Sequence, residues 1–158
     1  MAHTALWLFD IDGTLCEAVD CDDPALWESA QILRRKPTWL TGMVRELVRA
    51  GELVRILTAR SEDVREATER WLGTQGIDGV KACMRPLDVE PAFRNAWKTG
   101  KLQSVAADIH EMGQGGHVVL FDDTDFSATC SKCSNLRFVR VAFPYGTLEA
   151  VPAHPDLV

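Results

Sequence analysis

Apolar residues along the chain gather into short runs, and several of the stretches between them carry apolar positions at helical spacing. Ala5, Leu6, Trp7, Leu8 and Phe9 form the first run, which ends at an Asp-Gly turn and predicts a buried strand over 5–9. Residues 13–37 are less regular. There an acidic patch of Asp20, Asp22 and Asp23 precedes Pro24, whose fixed φ suits the first position of a short helix over about 24–35. Leu40, Met43, Val44, Leu47 and Val48 repeat at helical spacing over 38–50 and stop at Gly51. A second strand follows over 53–57, and Ser61 with Glu62 and Asp63 opens a helix that runs to about Leu72. A third strand is predicted over 79–84, then a proline-bearing loop over 85–91 and a helix carrying Leu102, Val105, Ile109 and Met112. Val118, Val119, Leu120 and Phe121 mark the clearest strand, over 117–121. A short helix over 124–131 and a fifth strand over 136–141 complete the pattern, and the proline-interrupted tail from Phe143 reads as irregular surface chain.

Strands alternating with helices in this way predict an α/β fold: a doubly wound parallel sheet of about five strands with right-handed crossovers and helices on both faces. A chain of 158 residues fits one domain over 1–158. The architecture carries a functional expectation, because open parallel sheets bind ligands beyond the carboxyl ends of their strands. Asp10 ends the first strand, Thr58 the second, and Asp122 with Asp123 the fourth. Asp10 and Asp12 lie two apart and so face the same side of an extended backbone. A turn role for Asp12 and Gly13 does not explain a second acidic pair after another apolar run. Nor is this a helix-loop-helix calcium loop, since Ile11 and Leu15 interrupt its oxygen ligands. Acids and a hydroxyl around one point make a hard-oxygen site suited to Mg2+, with a phosphate-bearing substrate bridging the ion. A Lys or Arg from 85–101 is then needed against the phosphate.

Composition narrows the partners. A formal net charge of −6 argues against non-specific nucleic-acid binding, and the short basic run Arg34-Arg35-Lys36 reads as a solvated helix end. No apolar run reaches the length of a membrane span and the first residues lack a secretory signal, so a cytoplasmic location is expected. Five cysteines, at 16, 21, 83, 130 and 133, are then reduced thiols by default. Cys130 and Cys133 have the C-x-x-C spacing of half a zinc site. Cys16 and Cys21 would have to complete it across a wider gap, which disfavours structural zinc.

The residues at these strand ends resemble the motifs of the haloacid dehalogenase superfamily of phosphohydrolases. Phe9-Asp10-Ile11-Asp12-Gly13-Thr14-Leu15 looks like its first motif, Leu57-Thr58-Ala59-Arg60 like its second and Phe121-Asp122-Asp123 like its fourth, in the right order. The resemblance implies that superfamily's strand order, with the first strand central. It also implies roles: Asp10 would be the nucleophile that forms an aspartyl-phosphate, Asp12 the general acid and then the base, and Thr58 a donor to a phosphoryl oxygen. Asp10, the Asp12 backbone carbonyl and Asp122 would hold Mg2+, with Asp123 supporting them from behind. A lysine is required against the nucleophile and phosphate, and Lys98 and Lys101 are the candidates. Trp97-Lys98 followed by Leu102 favours Lys98, although Gly100 costs that helix about 1 kcal/mol relative to alanine. Only residues 16–37 leave room for a cap, so a small flap and an open site are implied.

Thr58-Ala59-Arg60, Met84-Arg85-Pro86 with Asp88, and the Asp122-Asp123 pair look most like the phosphatase domain of phage-type polynucleotide kinase 3′-phosphatases. Arg60 and Arg85 would then contact a nucleotide phosphate or base; failing that, they pair with surface acids. No kinase phosphate loop is present. The expected activity is that of a Mg2+-dependent phosphomonoesterase acting on a phosphorylated small molecule or a nucleic-acid end, first of all a nucleotide or a polynucleotide 3′-phosphate. Another small phosphoester or a phosphoprotein is the alternative. A phosphotransferase would need an acceptor pocket that excludes water, which a small cap does not provide. A non-catalytic phosphate-binding domain is the rival of a different class, and its usual mark, loss of an acid from the first motif, is missing.

Overall fold

β1 (Ala5–Phe9) is apolar at every position because both of its faces are covered. Leu6 and Leu8 pack on one side with Leu57, Leu102, Leu120 and Phe138. Phe9 packs on the other with Leu40, Val44, Ile56 and Trp71, and Trp7 lies against the same cluster. In this computed structural model, which describes residues 5–20, 22–111, 116–142 and 147–151, β1 is central. The remaining strands are β2 (Leu53–Ser61), β3 (Lys81–Arg85), β4 (His117–Asp122), β5 (Leu136–Ala142) and β6 (Thr147–Val151). Among the described residues they form a six-stranded sheet in the order β3-β2-β1-β4-β5-β6. Leu6 pairs with Leu53 on one side and Val118 on the other, and β1 to β5 are all parallel.

The helices are α1 (Ser29–Leu33), α2 (Leu40–Arg49), α3 (Arg65–Thr74), α4 (Arg94–Glu111) and α5 (Ser127–Cys130). The two clusters place α2 and α3 on one face of the sheet and α4 on the other, the doubly wound arrangement expected from the sequence. No helix among the described residues is long and apolar enough to cross a membrane.

Several elements differ from the sequence reading. β6 lies within the tail expected to be irregular and pairs antiparallel with β5, Ala142 opposite Thr147. β2 runs on through Arg60 to Ser61, where its register with β3 shifts. The expected helix over 24–35 is broken at Glu28, whose extended backbone (ψ 143°) separates a 3-10 turn, Pro24–Trp27, from α1. Arg35 is buried rather than solvated: its guanidinium donates to the carbonyls of Gln31 and Leu26 and stacks on Trp27, 5.5 Å from the ring centroid. Cys16 and Cys130 sit in different core clusters on opposite faces of the sheet, so Cys16 does not join Cys130 and Cys133 in a zinc site. Met112 and Cys21 lie outside the described residues.

Residues 16–37 form a closed excursion whose ends are stitched together. Glu17 N–H donates to the Lys36 carbonyl (3.0 Å), and Thr38 donates to Leu15 O from its backbone (2.8 Å) and to Thr14 O from its hydroxyl (2.6 Å). The excursion thus starts and finishes beside the loop that follows β1.

Candidate active site

The turn after β1 is built to hold Asp10 still. The Asp10 N–H continues the sheet by donating to Phe121 O at 2.9 Å. Beyond it the N–H groups of Thr14, Leu15 and Cys16 all converge on the Ile11 carbonyl at 3.1, 2.9 and 3.0 Å. Ile11 and Leu15 are fully buried, so the apolar residues that disqualify a calcium loop are the anchors of this coil. Gly13 is required twice over. Its φ of +80° lies in the left-handed region, and a Cβ there would come within 2.1 Å of Asp123 Oδ2.

Lys98 enters from the first turns of α4, 88 positions from Asp10 in sequence, and its ammonium is 3 % exposed. Nζ donates to Asp10 Oδ1 at 2.9 Å and sits 2.5 Å from Asp122 Oδ2, outside hydrogen-bond alignment with it. The Phe126 ring lies below it at 5.7 Å. Lys101, the other candidate, is exposed. Burial alone would lower the Lys98 ammonium, but the charges of Asp10 and Asp122 outweigh it and hold it above its ordinary value. Burial, then the charge of Asp122, holds the Asp10 carboxyl well above the usual range, and Lys98 opposes both. Asp123 is pushed up to about 6 by burial and by Asp122.

Asp10, Asp122 and Asp123 each bring a carboxylate oxygen within 4.8 Å of the others, the one such acidic group among the described residues. Asp123, placed behind the ligands by the sequence reading, is therefore a full member of the cluster. The donor set fits a hard divalent cation: three carboxylates gathered at one point, with the Lys98 ammonium offsetting only one of their charges. Asp122 Oδ1 is occupied by the Thr124 N–H at 2.9 Å, which fixes the orientation of that carboxylate.

The side chain of Asp12 belongs to a second group. Arg60, carried inward by the extension of β2, grips it with both arms of the guanidinium: Nε to Oδ2 at 2.9 Å and Nη2 to Oδ1 at 2.8 Å. Nη1 donates to Thr68 Oγ1 at 3.1 Å, the Cys16 thiol donates to Asp12 Oδ1 at 3.5 Å, and the Trp27 ring lies 5.6 Å from the guanidinium carbon. The Arg60 side chain is 0 % exposed, whereas Asp12 keeps 24 % exposure. Of the two roles open to Arg60 from the sequence, contact with substrate or pairing with an acid, the structure shows the pair, with Asp12 as the acid. Burial would weaken the Arg60 charge, but the hydrogen bonds and charge of Asp12 keep it raised. Thr58 is buried, and its hydroxyl accepts from the Arg60 N–H at 3.1 Å. Arg85 is half-buried; Nε donates to Ala59 O at 3.0 Å and Nη1 to Val89 O.

Of the acids and bases of the site, all but Asp122 and Lys101 line one cavity of about 590 Å³. Asp10, Asp12, Thr58, Arg60, Lys98 and Asp123 contribute to it, together with Val19, Pro24 and Trp27 of the 16–37 excursion and Arg85, Arg94 and Asn95. Sequence reasoning missed Trp27, Arg94 and Cys16. Trp27 and Arg94 reach the cavity only through the chain's return path, whereas Cys16 meets Asp12 within the turn itself, four positions on, where a thiol beside an acid carries no motif signal.

No family model matches the sequence, and no curated protein matches it significantly. Among solved structures, a chain in the structure of the Pnkp1/Rnl/Hen1 complex is similar, with a TM-score of 0.64 at 22 % identity over 89 % of this chain and 46 % of that one. This chain thus spans less than half of that neighbour's length, and what the two share is the fold, an α/β sheet flanked by helices.

Proposed function

We propose that the protein is a Mg2+-dependent phosphomonoesterase that passes the phosphoryl group through Asp10. The reading is carried by the clustering of Asp10, Asp122 and Asp123 at a cavity wall, with the buried Lys98 ammonium paired to the first two. Acids so gathered repel one another, and a buried lysine offsets one charge of three. Mg2+ held by these carboxylates, with the Asp12 backbone carbonyl, would offset the remainder and polarise the phosphoryl oxygens.

Asp10 attacks phosphorus as the ester oxygen leaves, and Asp12 delivers its proton to that oxygen. Lys98 and the Thr58 hydroxyl take up charge on the transferred group's oxygens. In the second step Asp12 removes a proton from water, the resulting hydroxide attacks the aspartyl-phosphate at phosphorus, and Asp10 and inorganic phosphate are released. Arg60 serves this sequence by fixing the direction in which the Asp12 carboxyl faces while its partial exposure leaves it open to the leaving group. Lys98 opposes the rise that burial and Asp122 impose on the Asp10 carboxyl.

A nucleotide or a polynucleotide 3′-phosphate is the substrate we place first, on the motif likeness to phage-type 3′-phosphatases and the fold shared with a chain of the Pnkp1/Rnl/Hen1 complex. The cavity's size falls in the range of small-molecule sites, about 300–1,000 Å³. Residues 16–37 act as the flap, since Val19, Pro24 and Trp27 wall the cavity.

Phosphate release from p-nitrophenyl phosphate and from a panel of nucleotides, 3′-phosphorylated oligonucleotides and sugar phosphates tests the reading. Turnover should require Mg2+, stop with EDTA and vanish in Asp10→Asn. Retained turnover in that variant would sink the nucleophile assignment, and tight phosphate binding without turnover on any ester would favour a binding domain.

A further inference from the structure

We infer that the cavity holds a second anion subsite, formed by Arg85 and Arg94, which takes a second phosphoryl group on the substrate. The inference rests on the phosphomonoesterase reading of the Asp10 centre. Four basic side chains line the cavity: Arg60, Arg85, Arg94 and Lys98. Two are neutralised where they stand, Arg60 by Asp12 and Lys98 by Asp10 and Asp122.

The other two are tied only to neutral carbonyls. Arg85 donates to Ala59 O and Val89 O, and Arg94 Nη1 donates to Pro91 O at 3.1 Å. Among the described residues neither makes an ion pair with a carboxylate. A carbonyl orients a guanidinium without cancelling its charge, and with five N–H donors each, both arginines keep most of theirs for a ligand. Arg85 ends β3 and Arg94 opens α4, so the loop between them folds both onto the same cavity, with Asn95 adding an amide. Glu28 and Asp63, lining acids without such a partner, come from the 16–37 excursion and the start of the turn after β2. Guanidinium groups bind phosphate oxygens through paired N–H donors, which suits this pair to a phosphoryl group beyond the one at Asp10.

A phosphodiester in a chain and a second monoester on a small molecule share this chemistry. Steady-state kinetics with a nucleoside 3′-monophosphate, a nucleoside 3′,5′-bisphosphate and a 3′-phosphorylated dinucleotide separate them. Arg94→Gln should raise KM for a two-anion substrate about tenfold more than for the monophosphate, the loss typical of a charge-assisted contact. The bisphosphate or the dinucleotide, whichever shows the larger effect, identifies the source, and equal effects on all three overturn the inference. Arg94 is half-buried and bonded within its own turn, so a thermal melt suffices to show that the variant folds. If the wild type turns over none of the three, nor p-nitrophenyl phosphate, the phosphatase reading fails by itself. Calorimetric binding of the same compounds then decides the subsite: a two-anion preference lost in Arg94→Gln upholds it, and no preference in the wild type refutes it.

Discussion

Removing the Lys98 charge while keeping its bulk, as in Lys98→Met, should be among the costliest single changes in this chain. The ammonium is 3 % exposed and lies 2.9 Å from one oxygen of Asp10 and 2.5 Å from one of Asp122, so neither acid has solvent to fall back on. Breaking a buried ion pair from one side costs about 3–5 kcal/mol, because the opposite charge is left uncompensated. That is a large part of the roughly 5–15 kcal/mol that stabilises a whole domain. At this chain length it corresponds to a fall in Tm of about 6–20 °C, at about 2–4 °C per kcal/mol. The assay is thermal and urea unfolding in metal-free buffer at neutral pH. Repeating it in an Asp122→Asn background isolates the charge: with one acid neutralised, the Lys98→Met cost should shrink by about 1–3 kcal/mol, the coupling expected of direct contacts. A Tm within about 2 °C of wild type for Lys98→Met, or no coupling to Asp122, would refute the electrostatic reasoning.

Gly13→Ala should lose at least about 1–2 kcal/mol in urea unfolding from left-handed strain alone, with Asp123 displaced besides, and an unchanged midpoint would contradict the 2.1 Å approach. Arg60→Lys keeps a positive charge but cannot grip Asp12 with two arms. Its kcat on alkyl phosphates, whose leaving oxygen needs a proton, should fall about 10²-fold, with a much smaller loss on p-nitrophenyl phosphate, and equal losses would remove Asp12 orientation as its role. Burial pushes the Cys130 thiol up to about 12, so it stays protonated below that value and the reactive thiolate is only about 10⁻⁴ of the total at pH 8. Iodoacetamide should therefore spare Cys130 in the folded protein and modify it on denaturation; comparable rates in both states would contradict this.

β1 and β4 were legible because strands buried on both faces must be apolar at successive positions, as Leu6 to Phe9 and Val118 to Phe121 are. The extension of β2 was not, since Thr58, Ala59 and Arg60 break the apolar run just where the register shifts and the site needs polar groups. β6 escaped because the alternation in Thr147–Val151 is only four residues long and lies in a tail interrupted by prolines; its place depends on the edge that β5 offers. The break at Glu28 and the burial of Arg35 depend on Trp27 stacking against Arg35 and on Trp71 Nε1 donating to the Arg35 carbonyl at 3.0 Å, contacts no local pattern announces. Asp10, Asp122 and Asp123 were found together because strand ends in a parallel sheet share one side. The coupling of Asp12 to Arg60 was not, because residues 48 positions apart give no sign of which cation faces which acid.

A covalent phosphoryl group on Asp10 is the centre of this account, and Asp12→Asn offers the most direct way to see it. With p-nitrophenyl phosphate the first step does not need a strong acid, whereas hydrolysis of the intermediate needs a base, so the intermediate should accumulate. Acid quenching followed by peptide mass spectrometry should find a phosphoryl group on Asp10, together with a burst of p-nitrophenol equal to the enzyme present. Turnover with no burst and no modified Asp10, or a phosphoryl group on any other residue, would contradict it.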